Sequence, residues 1–229
     1  MQTATVLDPD DRTNPIAELS AREALLYHGT HSGFRNSIEK HGFSFEFFDR
    51  DFGEPIRVIV EACDTLYWKQ NGYAAAKSFS DQRLVYFTLV FKRARDYASN
   101  LGSERIDGAI KAGEAFCKFA RDPAQNKAHA DYWRTALEQH GPHDLTEAVV
   151  ANLSNRELVD RLGDQVENAV LTLKAAMQTG HPVVYAVQFD PAAGEFTREA
   201  SAGVRLRLVG PERIVARIDY PNGVTPDVF

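Results

Sequence analysis

Cysteine is scarce: Cys63 and Cys117 are the only two in 229 residues, and they do not form a Cys-x-x-Cys pair. That excludes a disulfide scaffold and a thiolate zinc site, and fits reduced thiols in a cytoplasmic protein. Long apolar runs are missing, and none approaches the ~18 continuous residues a membrane span needs. The first eighteen residues are polar and Asp-rich, without the apolar core of a signal peptide. A glycine-rich phosphate loop is absent as well, because Gly108 to Gly113 sits in a helical context. Positive charge is in deficit, at 26 Lys and Arg against 32 Asp and Glu, a net −6. Long-range attraction to nucleic acid is therefore not favoured. The expectation is a chain of the cytoplasm, its own or a host's.

What is present reads as strands, then helices, then strands. Residues 1–20, with Asp8-Pro9-Asp10-Asp11, predict a flexible arm, and 21–229 a single domain. Ala24-Leu25-Leu26-Tyr27 reads as a short buried strand ending at His28-Gly29-Thr30, followed by a helix over Ser32 to Lys40 that Gly42 stops. The β-branched run Pro55 to Val60 predicts a strand, preceded by an aromatic and acidic loop from Phe45 to Glu54. Tyr67 to Lys77 reads as helix, Arg83 to Thr88 as strand, and Lys92 to Ser99 as a helix carrying Tyr97. Residues 103–180 then turn Ala-, Glu-, Arg- and Leu-rich, a helical insertion in which Ser154-x-x-Glu157 has the capping-box pattern. Strands return at Val183 to Phe189, at Val204 to Leu208 and at Arg213 to Asp219. The class is α+β.

Two segments carry the chemistry. In the first, Leu26-Tyr27-His28-Gly29-Thr30, an imidazole able to bond a ribose hydroxyl stands beside a glycine that lets a ligand approach the backbone. In the second, Tyr86 of Val85-Tyr86-Phe87-Thr88 and Tyr97 lie eleven residues apart across a strand-to-helix turn. Two such rings can sandwich a flat cationic ring by stacking and cation–π attraction. Burial of both tyrosines in a core, and a turn-bound His28, are the plainer readings of each segment alone; their combination favours a site. His140-x-x-His143 with Asp144 reads as solvated loop rather than metal site, because Gly141-Pro142 breaks the helix that would align the ligands.

The first segment, continued by Asn36-Ser37-Ile38 and Gly42-Phe43, resembles the first motif of the ADP-ribosyltransferases of the poly(ADP-ribose) polymerase and diphtheria-toxin type. The second, with Ala94 and Tyr97-Ala98 downstream, resembles their second motif. The resemblance covers about residues 24–43 and 83–99. It implies a split antiparallel sheet and a site that holds NAD+ as co-substrate, without a metal, through His28, Gly29, Thr30, Tyr86 and Tyr97. In that reading His28 bonds the adenine-side ribose, Gly29 the carboxamide, and the two tyrosines flank the nicotinamide. Ala94 stands where family members often have a carboxamide-bonding serine. The class also takes a glutamate at or near the start of a late strand. Here that strand opens Ala202-Gly203-Val204-Arg205, so Glu199 in the preceding loop is the expected catalytic carboxylate beside His28 and Tyr86, with Glu195 as the alternative.

The implied activity is mono-ADP-ribosyl transfer from NAD+ to a macromolecular acceptor, protein before nucleic acid. Two other readings stay open: a non-catalytic NAD-binding or interaction module of the same fold, and an enzyme of changed reaction, an NAD+ glycohydrolase or RNA 2′-phosphotransferase.

Overall fold

A computed structural model describes residues 5–7, 25–70, 72–81, 85–99, 104–140, 144–178, 180–189, 196–198, 203–206 and 208–222. The described chain is mixed helix and sheet and divides into two compact units: residues 1–51, 82–104 and 176–229, and residues 52–81 and 105–175. Among the described residues no helix is long and apolar enough to cross a membrane.

Among the described residues the first unit has nine strands: β1 (Thr5–Leu7), β2 (Leu25–His31), β3 (Phe43–Ser44), β4 (Val85–Thr88), β5 (Pro182–Gln188), β6 (Phe196–Arg198), β7 (Gly203–Leu206), β8 (Leu208–Val209) and β9 (Ile214–Asp219). Seven form one sheet in the order β1-β9-β5-β2-β4-β7-β6, and β3 pairs with β8 apart from it. Among the described residues every pairing is antiparallel except β1 with β9. The expected N-terminal arm thus contributes one strand, Thr5–Leu7, alongside Ala216–Ile218. The expected strand from Val204 to Leu208 is two strands in different sheets: Leu206 is buried in β7, whereas Leu208 in β8 is exposed.

Strand β2 does not end at His28. It pairs with β5 along its whole length, from Leu25 opposite Gln188 to His31 opposite Pro182. Towards β4, by contrast, the one register pair among the described residues is Tyr27 opposite Thr88. Within the one sheet, β1-β9-β5-β2 thus meets β4-β7-β6 at that pair.

Side-chain alternation sends successive residues to opposite faces. One face packs Leu25, Tyr27, Val184, Ala186, Ala216 and Ile218 against Ala94 and Ala98 of helix α5 (Phe91–Ser99). On the strand-to-helix stretch after β2, a 3-10 turn (Ser32–Phe34) leads into α1 (Arg35–His41), which buries Ile38. Gly42 ends α1 at φ +76° with its N–H on the Ile38 carbonyl at 2.7 Å, a backbone conformation that side-chain-bearing residues resist. The aromatic run after it is not a loop: Phe45–Phe48 is a short helix, α2, and Asp49–Gly53 a π-turn.

Arginines tie α1 to the sheet. The Asp219 carboxylate accepts from Arg35, from Arg217 Nε at 2.9 Å and from His181 Nε2 at 2.9 Å, while Arg217 also bonds Glu39. Burial pushes the Asp219 pKa up, but the bond from His181 and the charges of Arg217 and Arg35 outweigh it and hold the carboxyl below its ordinary value. A depressed carboxyl contributes stability that is complete above the unfolded pKa, about 4, and is lost as pH falls through the folded value. Asp219→Asn is therefore expected to cost about 2 kcal/mol at neutral pH and to flatten the acid limb of stability below pH ~4. Urea titrations at pH 7 and pH 3 check this; equal losses at both would mean that the charge is not what matters.

The second unit is helical: α3 (Glu54–Thr65), α4 (Tyr73–Asp81), α6 (Glu104–Arg121), α7 (Pro123–His140), α8 (Asp144–Ser154) and α9 (Arg156–Met177), the last ending in the first unit. The expected insertion at 103–180 is thus joined by 52–81. The strand expected at Pro55 to Val60 is helix α3. Ile56, Ile59, Val60 and Cys63 are all buried, a spacing of i, i+3, i+4, i+7 that only a helix puts on one side, and Pro55 sits in the first turn, where its missing N–H costs nothing. Burial, with the Asp64 charge behind it, pushes the Cys63 thiol up to about 12, so it is an inert core residue. The cap of α9 also differs from expectation: Asn155 Oδ1 accepts from the Leu158 N–H at 3.1 Å, while Ser154 closes α8 by donating to the Val150 carbonyl.

Candidate functional site

Two of the sequence-predicted residues, His28 and Tyr86, come together where β2 meets β4. His28 lies just past the Tyr27–Thr88 pair, and its Nδ1 is 2.7 Å from the Tyr86 carbonyl oxygen. A carbonyl only accepts, so in the neutral imidazole the proton is on Nδ1 and the lone pair on Nε2. The side chain thus donates from β2 to the backbone of β4. Around the ring stand Phe43 at 4.8 Å and Phe87 at 5.3 Å between centroids, and Phe43 in turn meets Tyr185 edge-on at 5.4 Å. Phe87 and Tyr185 are wholly buried. Burial, with the Glu39 charge behind it, raises the Tyr185 pKa, so this phenol stays neutral. The imidazole is consequently fixed in orientation and tautomer.

Tyr86 turns its ring to the other side. There it meets Tyr97 of α5, with centroids 5.7 Å apart and planes at 70°. The pairing across strand and helix is the one the spacing predicts. Its geometry is edge-to-face, so each ring now occupies the space a sandwiched ligand ring would need. Both tyrosines are half-exposed.

Gly29 lies against the backbone of α5. A Cβ placed on it would lie 1.8 Å from the Ala94 carbonyl oxygen and 2.8 Å from the Ala98 nitrogen. The vacancy is filled by the backbone of α5, which the fully buried Ala94 and Ala98 allow to approach. Ala94 is therefore a packing residue. Thr30, expected beside the ligand, is buried at 4% exposure in the segment of β2 that pairs with β5.

Glu199 and Glu195 lie outside the described residues. The strand after them is described: β7 opens at Gly203, and Arg205 stands opposite Tyr86. His143 lies outside the described residues too. His129 belongs to the second unit's core: Nε2 is 3.0 Å from the Leu66 carbonyl, and burial lowers its pKa. Trp68 stacks on Phe119 at 4.1 Å, and Trp133 meets Tyr67 edge-on, both as packing residues.

Sequence reasoning missed the ring of aromatics behind His28. Alternation was the available signal, because Phe87 follows Tyr86 and Tyr185 stands opposite His28 on β5. What the arrangement offers chemically is one oriented imidazole and one pair of tyrosines where β2 meets β4. Comparison with family models, curated proteins and solved structures finds no match to this chain.

Proposed function

We propose that the chain is an NAD+-dependent ADP-ribosyltransferase that passes a single ADP-ribose to a macromolecular acceptor, a protein before a nucleic acid. One observation carries the reading: where β2 meets β4, His28 is locked on the Tyr86 carbonyl while the Tyr86 ring pairs with Tyr97. His28 Nε2 would accept from a ribose hydroxyl of NAD+. Tyr86 and Tyr97 would hold the pyridinium ring, whose positive charge suits the negative faces of phenol rings. The C1′–N bond of the nicotinamide riboside then breaks with its electron pair going to the ring, which leaves neutral. The ribosyl cation so formed is attacked at C1′ by an acceptor nucleophile, which loses a proton. Catalysis is then mainly positioning and charge stabilisation, and Glu199 is the group we propose for the ribosyl cation and the acceptor proton.

The test is incubation of the purified chain with NAD+ labelled in the adenylate, beside His28→Ala, Tyr86→Ala and Glu199→Ala. Nicotinamide release with label on a macromolecule, reduced at least about a hundredfold in each variant, is the expected result. Nicotinamide release without macromolecular label would make the chain a glycohydrolase. NAD+ binding with no release would make it a binding module, and absence of binding would overturn the reading.

A further inference from the structure

Helix α3 carries two stripes. Ile56, Ile59, Val60 and Cys63 are buried in the second unit. Glu54, Val58, Glu61 and Thr65, spaced i, i+4, i+7 and i+11, form another stripe, which borders a groove of about 460 Å³. The opposite wall belongs to α9. There Val159, Val166, Val170 and Leu173 are buried, while Leu162, Gln165, Ala169 and Thr172 recur at i, i+3, i+7 and i+10 along the same groove. Such spacings put each set on one side of its helix. The two stripes therefore face each other across an open channel within one unit, roughly 16 Å long from the rise per residue of α3.

The floor of this channel is small and apolar. Ala62 and Ala169 are buried, with Val58 and Leu162 half-buried beside them. Alanine at these positions leaves the space that a larger side chain would fill. Leu171, one turn beyond Asn168 on α9, adds a large apolar side chain that is 58% exposed. The edges are polar, and their charge has one sign: among the described residues that line the channel, two are carboxylates and none is a cation. Glu54 stands 3.5 Å from Arg57, but both are solvated, and such an exposed pair contributes little. Glu54 lies in the first turn, where a carboxylate suits the helix macrodipole. Glu61 lies in the C-terminal half, where it does not, and it is exposed with no side-chain partner among the described residues. Neither helix stability nor core packing accounts for a carboxylate there.

We infer that this channel docks an amphipathic helix of a partner protein, one that presents Lys or Arg at two positions seven apart with an aliphatic residue between them. A helix is the element that fits, because the groove between two helices receives the side-chain ridge of a third. Its two cations match Glu54 and Glu61, which are about 10.5 Å apart along α3. Its aliphatic side chain is seated between them on Val58, Ala62 and Leu162. Charge complementarity selects this partner over nucleic acid or an anionic membrane surface, which the same carboxylates repel. The inference is independent of the transferase reading.

The experiment uses the full chain and a fluorescent Ala-based helical peptide with two Lys seven apart and a Leu midway on the same face. The comparators are the same peptide with Glu for Lys, one with its two Lys on opposite faces, and a single-stranded oligonucleotide. Anisotropy titrations are expected to show that the first peptide binds, and more tightly than any comparator. Glu61→Lys is expected to weaken that binding about tenfold, with a Tm no lower than wild type. Gln165→Trp, which fills the channel from an exposed position, is expected to weaken it as much while leaving the carboxylates in place. Equal binding of the Lys and Glu peptides, insensitivity to both variants, tighter binding of the oligonucleotide, or no binding of any peptide would overturn the inference. Lost binding in Glu61→Lys accompanied by a lowered Tm, with Gln165→Trp binding as wild type, would make Glu61 a structural residue and overturn it too.

Discussion

Gly29→Ala is expected to destabilise the sheet by about 3 kcal/mol, a fall in Tm of roughly 6–12 °C, with or without NAD+ present. The reason is the 1.8 Å separation between the position of a Cβ and the Ala94 carbonyl oxygen. No side chain can turn aside to relieve it, because the obstructing atoms belong to the backbone of α5. For the same reason Ala94→Gly should not rescue the variant. The only relief is to lift α5 from β2, which opens the contact of Tyr27, Val184, Ala186 and Ala216 with Ala94 and Ala98. Thermal unfolding of the variant decides between two roles for this glycine. A glycine needed only to admit a ligand would leave Tm unchanged and weaken NAD+ binding alone.

That glycine shows how far the sequence could be read. The packing of α5 against Gly29 was not legible, since spacing along one strand does not reveal which element crosses it. Tyr86 and Tyr97 were legible because a strand-to-helix turn brings such residues together locally, and the structure pairs them. The stop at Gly42 was legible because left-handed backbone is a local demand. Pro55 to Val60 misled because β-branched residues favour strands, whereas burial at Ile56, Ile59, Val60 and Cys63 chose a helix. Tertiary burial of a stripe outweighs such propensities, which amount to ~1 kcal/mol or less per residue. The aromatics behind His28 come from three separate segments, so no window of sequence contains them. The carboxylate assigned by resemblance, Glu199, lies outside the described residues and rests on its place before β7.

Tyr97→Ala is expected to weaken NAD+ binding by about 10- to 30-fold while speeding its association. The two effects have one cause. Stacked aromatic surfaces lie about 3.5 Å apart, so a pyridinium ring between two tyrosines needs roughly 7 Å and near-parallel planes. The pair stands at 5.7 Å and 70°, a stable edge-to-face contact that fills its own slot. Ligand entry therefore requires one ring to swing away. Tyr86 is the less free to do so: it sits in β4 between the His28 bond to its carbonyl and the pairing with Arg205 on β7. Tyr97 is half-exposed on α5, one face of which is anchored by Ala94 and Ala98, so rotation about its own side-chain bonds clears the slot without moving the helix. Removing the ring abolishes the opening step but also one wall of the sandwich, hence faster entry and weaker retention. Tyr97→Phe keeps both the edge contact and the wall and should behave as wild type in rate and affinity. Stopped-flow measurement of tyrosine fluorescence on mixing with NAD+ separates the two constants. A Tyr97→Ala variant that binds more slowly, or as tightly as wild type, would show that this ring neither gates the slot nor walls it.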